Sequence, residues 1–148
     1  MLNVPPPVWS LAYVLAATAL SYWAGWPRVP GLPLVPLAVL LIVVGISLSV
    51  TAVVLFRREG TELNPASTTN RKLVTRGPFS FTRNPMYLAI VITTLGIAFW
   101  VGAWPMFLAP LAVFATANWM NVPFEEASMR RQFGAQFDAY VSRVRRWI

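Results

Sequence analysis

The chain has 148 residues, of which 57% are hydrophobic and 11% are charged, and its formal net charge is +7. Soluble domains carry about 25% charged residues, so this composition excludes an ordinary soluble domain and indicates a single membrane domain. The chain has no cysteine and no histidine, which excludes disulfides and thiolate metal sites and removes the commonest metal ligand and general base. We therefore expect neither a bound metal nor a histidine base.

Four apolar segments are each near the roughly 20 residues that cross a bilayer as a helix. They cover residues 8–26, 32–56, 86–104 and 105–124. The first has no basic flank and no obvious cleavage site, so we predict a retained span and not a signal peptide. The very short turn between the last two predicts an antiparallel helical hairpin. The predicted fold is an all-α integral membrane protein with about four transmembrane helices.

The basic residues predict the orientation of these spans. Six lie in the segment 57–85 and five follow residue 124, whereas Arg28 alone lies on the other side of the predicted membrane. By the positive-inside rule the segment 57–85, the C-terminal tail and the N-terminus are all cytoplasmic. Because the charges flank apolar segments, they favour a membrane surface over nucleic acid. The small size and the charge bias suggest a bacterial inner membrane.

The tail over residues 125–144 is predicted to form an amphipathic helix on the cytoplasmic side. Its apolar residues recur at a spacing of three or four, with arginines on the other faces. The stripe consists of Met129, Phe133, Phe137, Tyr140 and Val144. Such a helix can lie at the membrane interface or cover the cytoplasmic end of the bundle.

The segment "GPFSFTRNPMYLA", residues 77–89, places polar residues at the start of the third span. Asn84 suits the N-cap position and Pro85 the first helical position. A helix N-terminus can hold a carboxylate or a phosphate, and the neighbouring Arg83 would strengthen such a site. The alternative for Arg83 is a basic anchor that reaches the membrane surface.

A polar stripe marks the end of the fourth span. Asn118, Asn121 and Glu125 share one helix face at i, i+3 and i+7, and Glu126 points in another direction. Polar groups at membrane depth are costly and usually face a cavity or another helix. The stripe therefore predicts a site, with hydrogen bonding between helices and a solvated Glu pair as the alternative.

Small residues within the second and third spans predict close helix packing. Thr93, Thr94 and Gly96 lie in the third span, and Gly45 and Ser49 lie four residues apart in the second. Small side chains let two helix backbones approach each other within a membrane. We interpret both groups as packing residues.

The run "LVTRGPFSFTRNPMYLA", a short apolar hairpin and "FEEASMRRQFGAQFDAYVSRVRRWI" together resemble the isoprenylcysteine carboxyl methyltransferase and phospholipid methyltransferase superfamily. In that superfamily an Arg-His-Pro-x-Tyr stretch opens one membrane helix and a Glu-Glu pair closes the next hairpin. The resemblance covers about residues 64–148. It implies one methyltransferase domain over 1–148, with two N-terminal spans in 1–56 and the cofactor-binding loop, hairpin and C-terminal helix in 57–148.

The resemblance also implies that S-adenosylmethionine binds at the cytoplasmic face. The implied cofactor contacts are Asn64, Leu73, Val74, Phe79, Asn84, Pro85, Met86, Tyr87 and Glu125. We assign the reaction centre to Glu125, Glu126 and Arg83, and the substrate contacts to Asn118 and Asn121. The Glu pair is expected to hold the cofactor and to shape the reaction centre.

Two positions depart from the superfamily pattern. Asn84 replaces the histidine, so this position can form hydrogen bonds but cannot act as a base. Asn121 stands where the prenylcysteine enzymes have an arginine for the substrate carboxylate, which disfavours the C-terminus of a prenylated protein as substrate. The first 56 residues carry no recognisable motif.

Methyl transfer is an in-line displacement that depends mainly on positioning, so a chain without histidine can perform it. We expect methyl transfer from S-adenosylmethionine to a small lipophilic or lipid-attached acceptor, with a slight preference for a carboxylate or a thiol. An amine acceptor would need Glu125, Glu126, Tyr140 or water to take its proton. The alternatives are N-methylation of a phospholipid amine and a non-catalytic membrane protein that retains the fold.

Overall fold

The computed structural model of the chain describes residues 5–60 and 72–148, and within these ranges the protein is helical without β-strands. Three long helices come first: α1 (Pro6–Trp23), α2 (Val35–Arg58) and α3 (Pro85–Val101). A second group follows: α4 (Leu108–Thr116), a π-helical segment (Ala117–Asn121), α5 (Val122–Phe133) and α6 (Ala135–Val141). The all-α class predicted from the sequence is confirmed for the described ranges.

Two helices of the described ranges are long and apolar enough to cross a membrane. One is α2, and the other is the continuous helix Trp104–Phe133, which includes α4 and α5. The apolar helix α3 is shorter, with 17 residues, and α1 has 18. Only 11% of the apolar part of α2 is buried inside the protein, so its surface suits contact with lipid. Membrane crossings by α1 and α3 stay predictions.

The predicted hairpin between the third and fourth spans is present. Helix α3 ends at Gly102, whose φ of 72° lies in the left-handed region that favours glycine. The next helical turn begins at Trp104, with Pro105 in its first turn. The α1–α2 loop fastens this turn, because the amide of Val29 donates to the Gly102 carbonyl at 3.0 Å. The hairpin therefore lies at the end of the bundle opposite the start of α3.

Helices α2 and α3 run antiparallel and share the most extensive interhelical contact of the described elements. A methyl group added to Gly45 would lie 2.8 Å from the carbonyl oxygen of Ala89 on α3. In the same way, a methyl group added to Gly96 would lie 3.0 Å from the carbonyl oxygen of Ala38 on α2. Each glycine thus admits the backbone of the other helix, which confirms the interpretation of these two residues as packing residues.

We expect Gly45→Leu to destabilise the protein by about 1–3 kcal/mol, the typical cost of overpacking a core. The neighbouring backbone of α3 leaves no room for a side chain at this position. The change is measured as the thermal unfolding midpoint in detergent. Val43→Leu is the matched control, since Val43 is exposed on the same helix. Equal midpoints for the two variants would contradict the close approach of α2 and α3.

The C-terminal part differs from the prediction in its boundaries. The last long helix does not end at residue 124 but continues through α5 to Phe133, and the predicted helix 125–144 is interrupted at Gly134 (φ 49°). The predicted apolar stripe is confirmed, because its residues form one cluster against Leu73 of the preceding loop. Helices α5 and α6 therefore pack their apolar faces on the protein and cover the end of the bundle where α3 begins.

Candidate functional site

The first turn of α3 meets the first turn of α5 through Tyr87 and Glu125. The buried Tyr87 hydroxyl donates to Glu125 Oε1 at 2.5 Å. These residues are 38 positions apart in the chain, and the structure brings them together as the resemblance implied. Among the carboxylates of residues 5–60 and 72–148, Glu125 is the one without a basic partner. It can therefore accept an ammonium group or a hydrogen-bond donor from a ligand.

Glu126 points away from Glu125 and contacts two arginines. Its Oε1 accepts from Arg83 Nη2 at 2.8 Å, and its Oε2 accepts from Arg146 Nη2 at 2.7 Å. The two adjacent carboxylates therefore face different surroundings, as their different directions on the helix predicted. The charge of Glu126 is neutralised within the protein, so it is less suited than Glu125 to bind a cationic group.

Arg83 fastens the C-terminal segment to the start of α3. Besides Glu126, its guanidinium Nη1 donates to the carbonyl of Val144 at 2.8 Å and to that of Val141 at 3.3 Å. Its backbone amide donates to the carbonyl of Arg145 at 3.0 Å. With only 11% of its side chain exposed, Arg83 is not a basic anchor at the membrane surface. Its hydrogen bonds hold the C-terminal segment against the start of α3, and its Nε is buried without a partner in the described part of the chain.

Asn84 occupies the predicted N-cap position, but the prediction that its side chain caps the helix is wrong. The Asn84 Nδ2 group instead donates to the carbonyl of Arg146 at 3.0 Å, because the C-terminal segment passes beside it. The Thr82 hydroxyl donates to the same carbonyl at 3.2 Å and accepts from the Asn84 amide. The first turn of α3 is consequently left without a side-chain cap.

Residues 142–148, here called the C-terminal strap, cross between the start of α3 and the π-helical segment. Besides the contacts with Thr82, Arg83 and Asn84, the strap is held by Trp147, whose Nε1 donates to Asn118 Oδ1 at 3.0 Å. The Trp147 ring also packs on Phe114, with ring centroids 4.8 Å apart. Asn118, predicted to contact the substrate, thus contacts the strap. Its role toward a substrate stays a prediction.

The loop before α3 supplies an apolar layer beside this site. Val74 and Phe79 are buried together against α2, and Met86 packs on them. Leu73 packs on the α5–α6 cluster, and Pro85 is buried in the first turn of α3. The last of the implied cofactor contacts, Asn64, lies outside the described residues.

Tyr140 on α6 ties this loop to the C-terminal helices. Its buried hydroxyl donates to the carbonyl of Phe79 at 2.7 Å. Burial raises the pKa of Tyr140 to about 12, so the hydroxyl stays protonated at physiological pH and serves as a donor. Tyr140 is therefore poorly suited to act as the base for an amine acceptor.

Sequence reasoning missed Trp9. This residue on α1 is buried, and its ring stacks on Tyr87 with centroids 6.4 Å apart and an interplanar angle of 22°. A tryptophan near the start of an apolar segment is typical of an interfacial belt, so the local pattern gave no sign of a site.

The described residues contain no group of three potential metal ligands.

A family model described as phospholipid methyltransferase matches residues 34–136, well over half of the chain. The match begins before α2, and so it extends further toward the N-terminus than the motifs that start near residue 64. No curated protein and no solved structure matches the chain. The matched region contains the Tyr87–Glu125 pair and both helices that are long enough to cross a membrane. The chain belongs to the phospholipid methyltransferase family, which indicates methyl transfer to lipid-related substrates at a membrane.

Proposed function

We propose that the protein transfers the methyl group of S-adenosylmethionine to a small lipophilic or lipid-attached acceptor at the cytoplasmic face of the membrane. The observation that carries this proposal is the Tyr87–Glu125 pair beside the uncapped first turn of α3. The pair offers a carboxylate without a basic partner, an aromatic ring and free backbone N–H groups within one small region.

These groups fit the chemistry of the cofactor. The carboxylate of Glu125 suits an ammonium group, and the first-turn N–H groups of α3 suit a carboxylate. Phe79 and Tyr87 offer aromatic surface for an adenine ring or a sulfonium. When bound, the cofactor supplies an electrophilic methyl group. The residues of the chain then hold that group and the acceptor in line, which is the main requirement of this reaction.

Arg83 and Glu126 take a positioning role in this proposal. Their hydrogen bonds are made to each other, to Arg146 and to backbone carbonyls of the C-terminal segment. They hold the strap next to the start of α3, where it limits access of water to the site. A catalytic role for these two residues would require the strap to leave them.

The negative charge of Glu125 affects which chemical class of acceptor the site can bind. Glu125 has no basic partner among the described residues, and a second carboxylate beside it would be disfavoured by like-charge repulsion. This observation favours N-methylation of a lipid amine over methylation of a carboxylate.

We further propose that α1 and α3 cross the membrane together with α2 and the helix Trp104–Phe133. At 1.5 Å per residue, α1 and α3 are about 27 and 26 Å long, close to the roughly 30 Å of the hydrocarbon core. Arg28 lies near the α3–α4 hairpin, whereas Arg83, Arg130 and Arg146 lie at the opposite end of the bundle. The positive-inside rule favours a cytoplasmic location for that end, and so for the site, the start of α1 and the C-terminal strap.

We expect the purified protein, in detergent or in lipid nanodiscs, to bind S-adenosylmethionine and S-adenosylhomocysteine saturably in calorimetric titrations. We also expect it to incorporate radiolabelled methyl groups into a total lipid extract, because both ligands offer the groups that the site complements. Absence of binding in both detergent and nanodiscs would contradict the proposal and would favour a non-catalytic member of the family.

A further inference from the structure

Three buried side-chain polar atoms near the site have no hydrogen-bond partner within the described part of the chain: Nε1 of Trp9, Oδ1 of Asn121 and Nε of Arg83. The other guanidinium nitrogens of Arg83 are paired with Glu126 and the C-terminal segment, whereas Trp9 and Asn121 are each only 5% exposed and border the Tyr87–Glu125 pair. The Trp9 atom is a donor and the Asn121 atom is an acceptor. Buried polar atoms are nearly always paired, so an unpaired donor and an unpaired acceptor near one site point to a ligand that supplies both partners.

Both residues border the Tyr87–Glu125 pair. The Trp9 ring stacks on Tyr87, and the Asn121 side chain lies close to the Tyr87 hydroxyl. Asn121 is the last residue of the π-helical segment that joins α4 to α5. Such π-helical turns often occur at functional sites, because the extra residue redirects the side chains of the helix. Trp9 and Asn121 therefore approach one region from α1 and from the long C-terminal helix.

An apolar groove of about 450 Å³ runs between α1, α2 and α3 next to this region. Ser10, which follows Trp9, lines the groove, and Ile90 both lines it and packs against the cluster that contains Trp9 and Tyr87. The hydroxyls of Ser10 and Thr94 donate to carbonyls of their own helices, so they do not add free polar groups to the lining. A groove of this kind suits a hydrocarbon chain.

We propose that Trp9 and Asn121 form a head-group subsite for the lipid acceptor, with its hydrocarbon chain in the α1–α2–α3 groove. Trp9 donates to an oxygen of the head group, and Asn121 accepts from its N–H. The negative charge of Glu125 favours an ammonium-bearing head group over one whose donor is a hydroxyl. This inference rests on the proposed methyltransferase function. It adds a recognition residue from α1, which precedes the residues 34–136 that match the family.

The test measures the lipid concentration that gives half-maximal thermal stabilisation of the full chain in detergent. Phosphatidylethanolamine offers both the donor and the acceptor, phosphatidylglycerol offers hydroxyl donors, and phosphatidylcholine has no N–H or O–H donor. We expect the wild type to prefer phosphatidylethanolamine to phosphatidylcholine by about tenfold, for the one hydrogen bond that its N–H group adds. Equal stabilisation by these two lipids would overturn the proposal, and a preference for phosphatidylglycerol would overturn the choice of an ammonium group.

Trp9→Phe removes the N–H and keeps an aromatic ring, and Asn121→Leu removes the amide at similar size. Asn121→Leu should lose the preference for phosphatidylethanolamine, because that preference comes from the N–H donor. Trp9→Phe should weaken stabilisation by phosphatidylethanolamine and phosphatidylcholine alike, because both lipids offer the oxygen that Trp9 contacts. Both variants should still bind S-adenosylmethionine as the wild type does. Trp119→Phe is the matched control, since Trp119 is 69% exposed, and it should behave as the wild type. If Trp9→Phe does not fold, Asn121→Leu decides. A preference retained in Asn121→Leu, or unchanged stabilisation by both lipids in Trp9→Phe, would overturn the subsite, whereas loss of cofactor binding in the wild type would contradict the proposed function instead.

Discussion

Replacing Glu125 by glutamine is expected to weaken the binding of S-adenosylmethionine by about 10- to 100-fold while the protein remains folded. Glutamine keeps the size of the side chain and a carbonyl oxygen that can accept from the Tyr87 hydroxyl, but it removes the negative charge. Hydrogen bonds to charged groups contribute about 1.5–3 kcal/mol, which corresponds to this loss of affinity. Calorimetric titration of the cofactor into both proteins measures the effect.

Asp138→Asn is the matched control for this prediction. It also removes one carboxylate charge, but Asp138 is exposed on α6 and pairs with Arg130, away from the Tyr87–Glu125 pair. We expect it to leave cofactor affinity unchanged. If Glu125→Gln bound the cofactor as tightly as the wild type, the ammonium-binding role of Glu125 would be wrong. Tight binding of the cofactor with lost methyl transfer would instead assign Glu125 to the acceptor.

The parts of the fold that were predictable from the sequence depend on local patterns. Long apolar runs predicted α2 and α3, and the short interval between the last two runs predicted the hairpin at Gly102. The spacing of apolar residues in the tail predicted the cluster that includes Phe137 and Tyr140. The break at Gly134 was not predicted, although glycine is common after the last turn of a helix, because the apolar stripe continues on both sides of it.

Parts of the site could not be predicted from the sequence because they depend on contacts between residues that are distant along the chain. The motifs indicated Tyr87 and Glu125 but not that they share a hydrogen bond, and nothing near Arg83 in the sequence showed that residues 141–146 would pass beside it. For the same reason Asn84 was expected to cap α3, although its side chain finds a carbonyl of the strap instead. Trp9 was missed because the stacking partner of an apolar-segment tryptophan is set by helix packing and not by its neighbours in sequence.

The second large effect is a loss of stability when the network of Arg83, Glu126 and Arg146 is broken. We expect Arg83→Ala to destabilise the protein by about 1–3 kcal/mol, the range for leaving buried hydrogen-bonding groups without a partner, because Glu126 keeps its ion pair with Arg146. The change also leaves the carbonyls of Val141 and Val144 without their donor. Arg130→Ala is the matched control, because its ion pair with Asp138 is exposed and solvent screens such pairs. Thermal unfolding in detergent compares the two variants.

Limited digestion with trypsin distinguishes the two roles considered for Arg83. The strap contains three arginines, Arg143, Arg145 and Arg146, and we expect trypsin to cleave after them faster once the strap is released. If Arg83 positions the strap, Arg83→Ala should be cleaved there faster than the wild type and Arg130→Ala, before the rest of the chain is cut. If Arg83 instead binds the carboxylate of the cofactor directly, the strap should stay protected while the variant loses cofactor affinity. Because the guanidinium already donates to Glu126, to the carbonyl of Val144 in the strap and to that of Val141 just before it, we expect the first result.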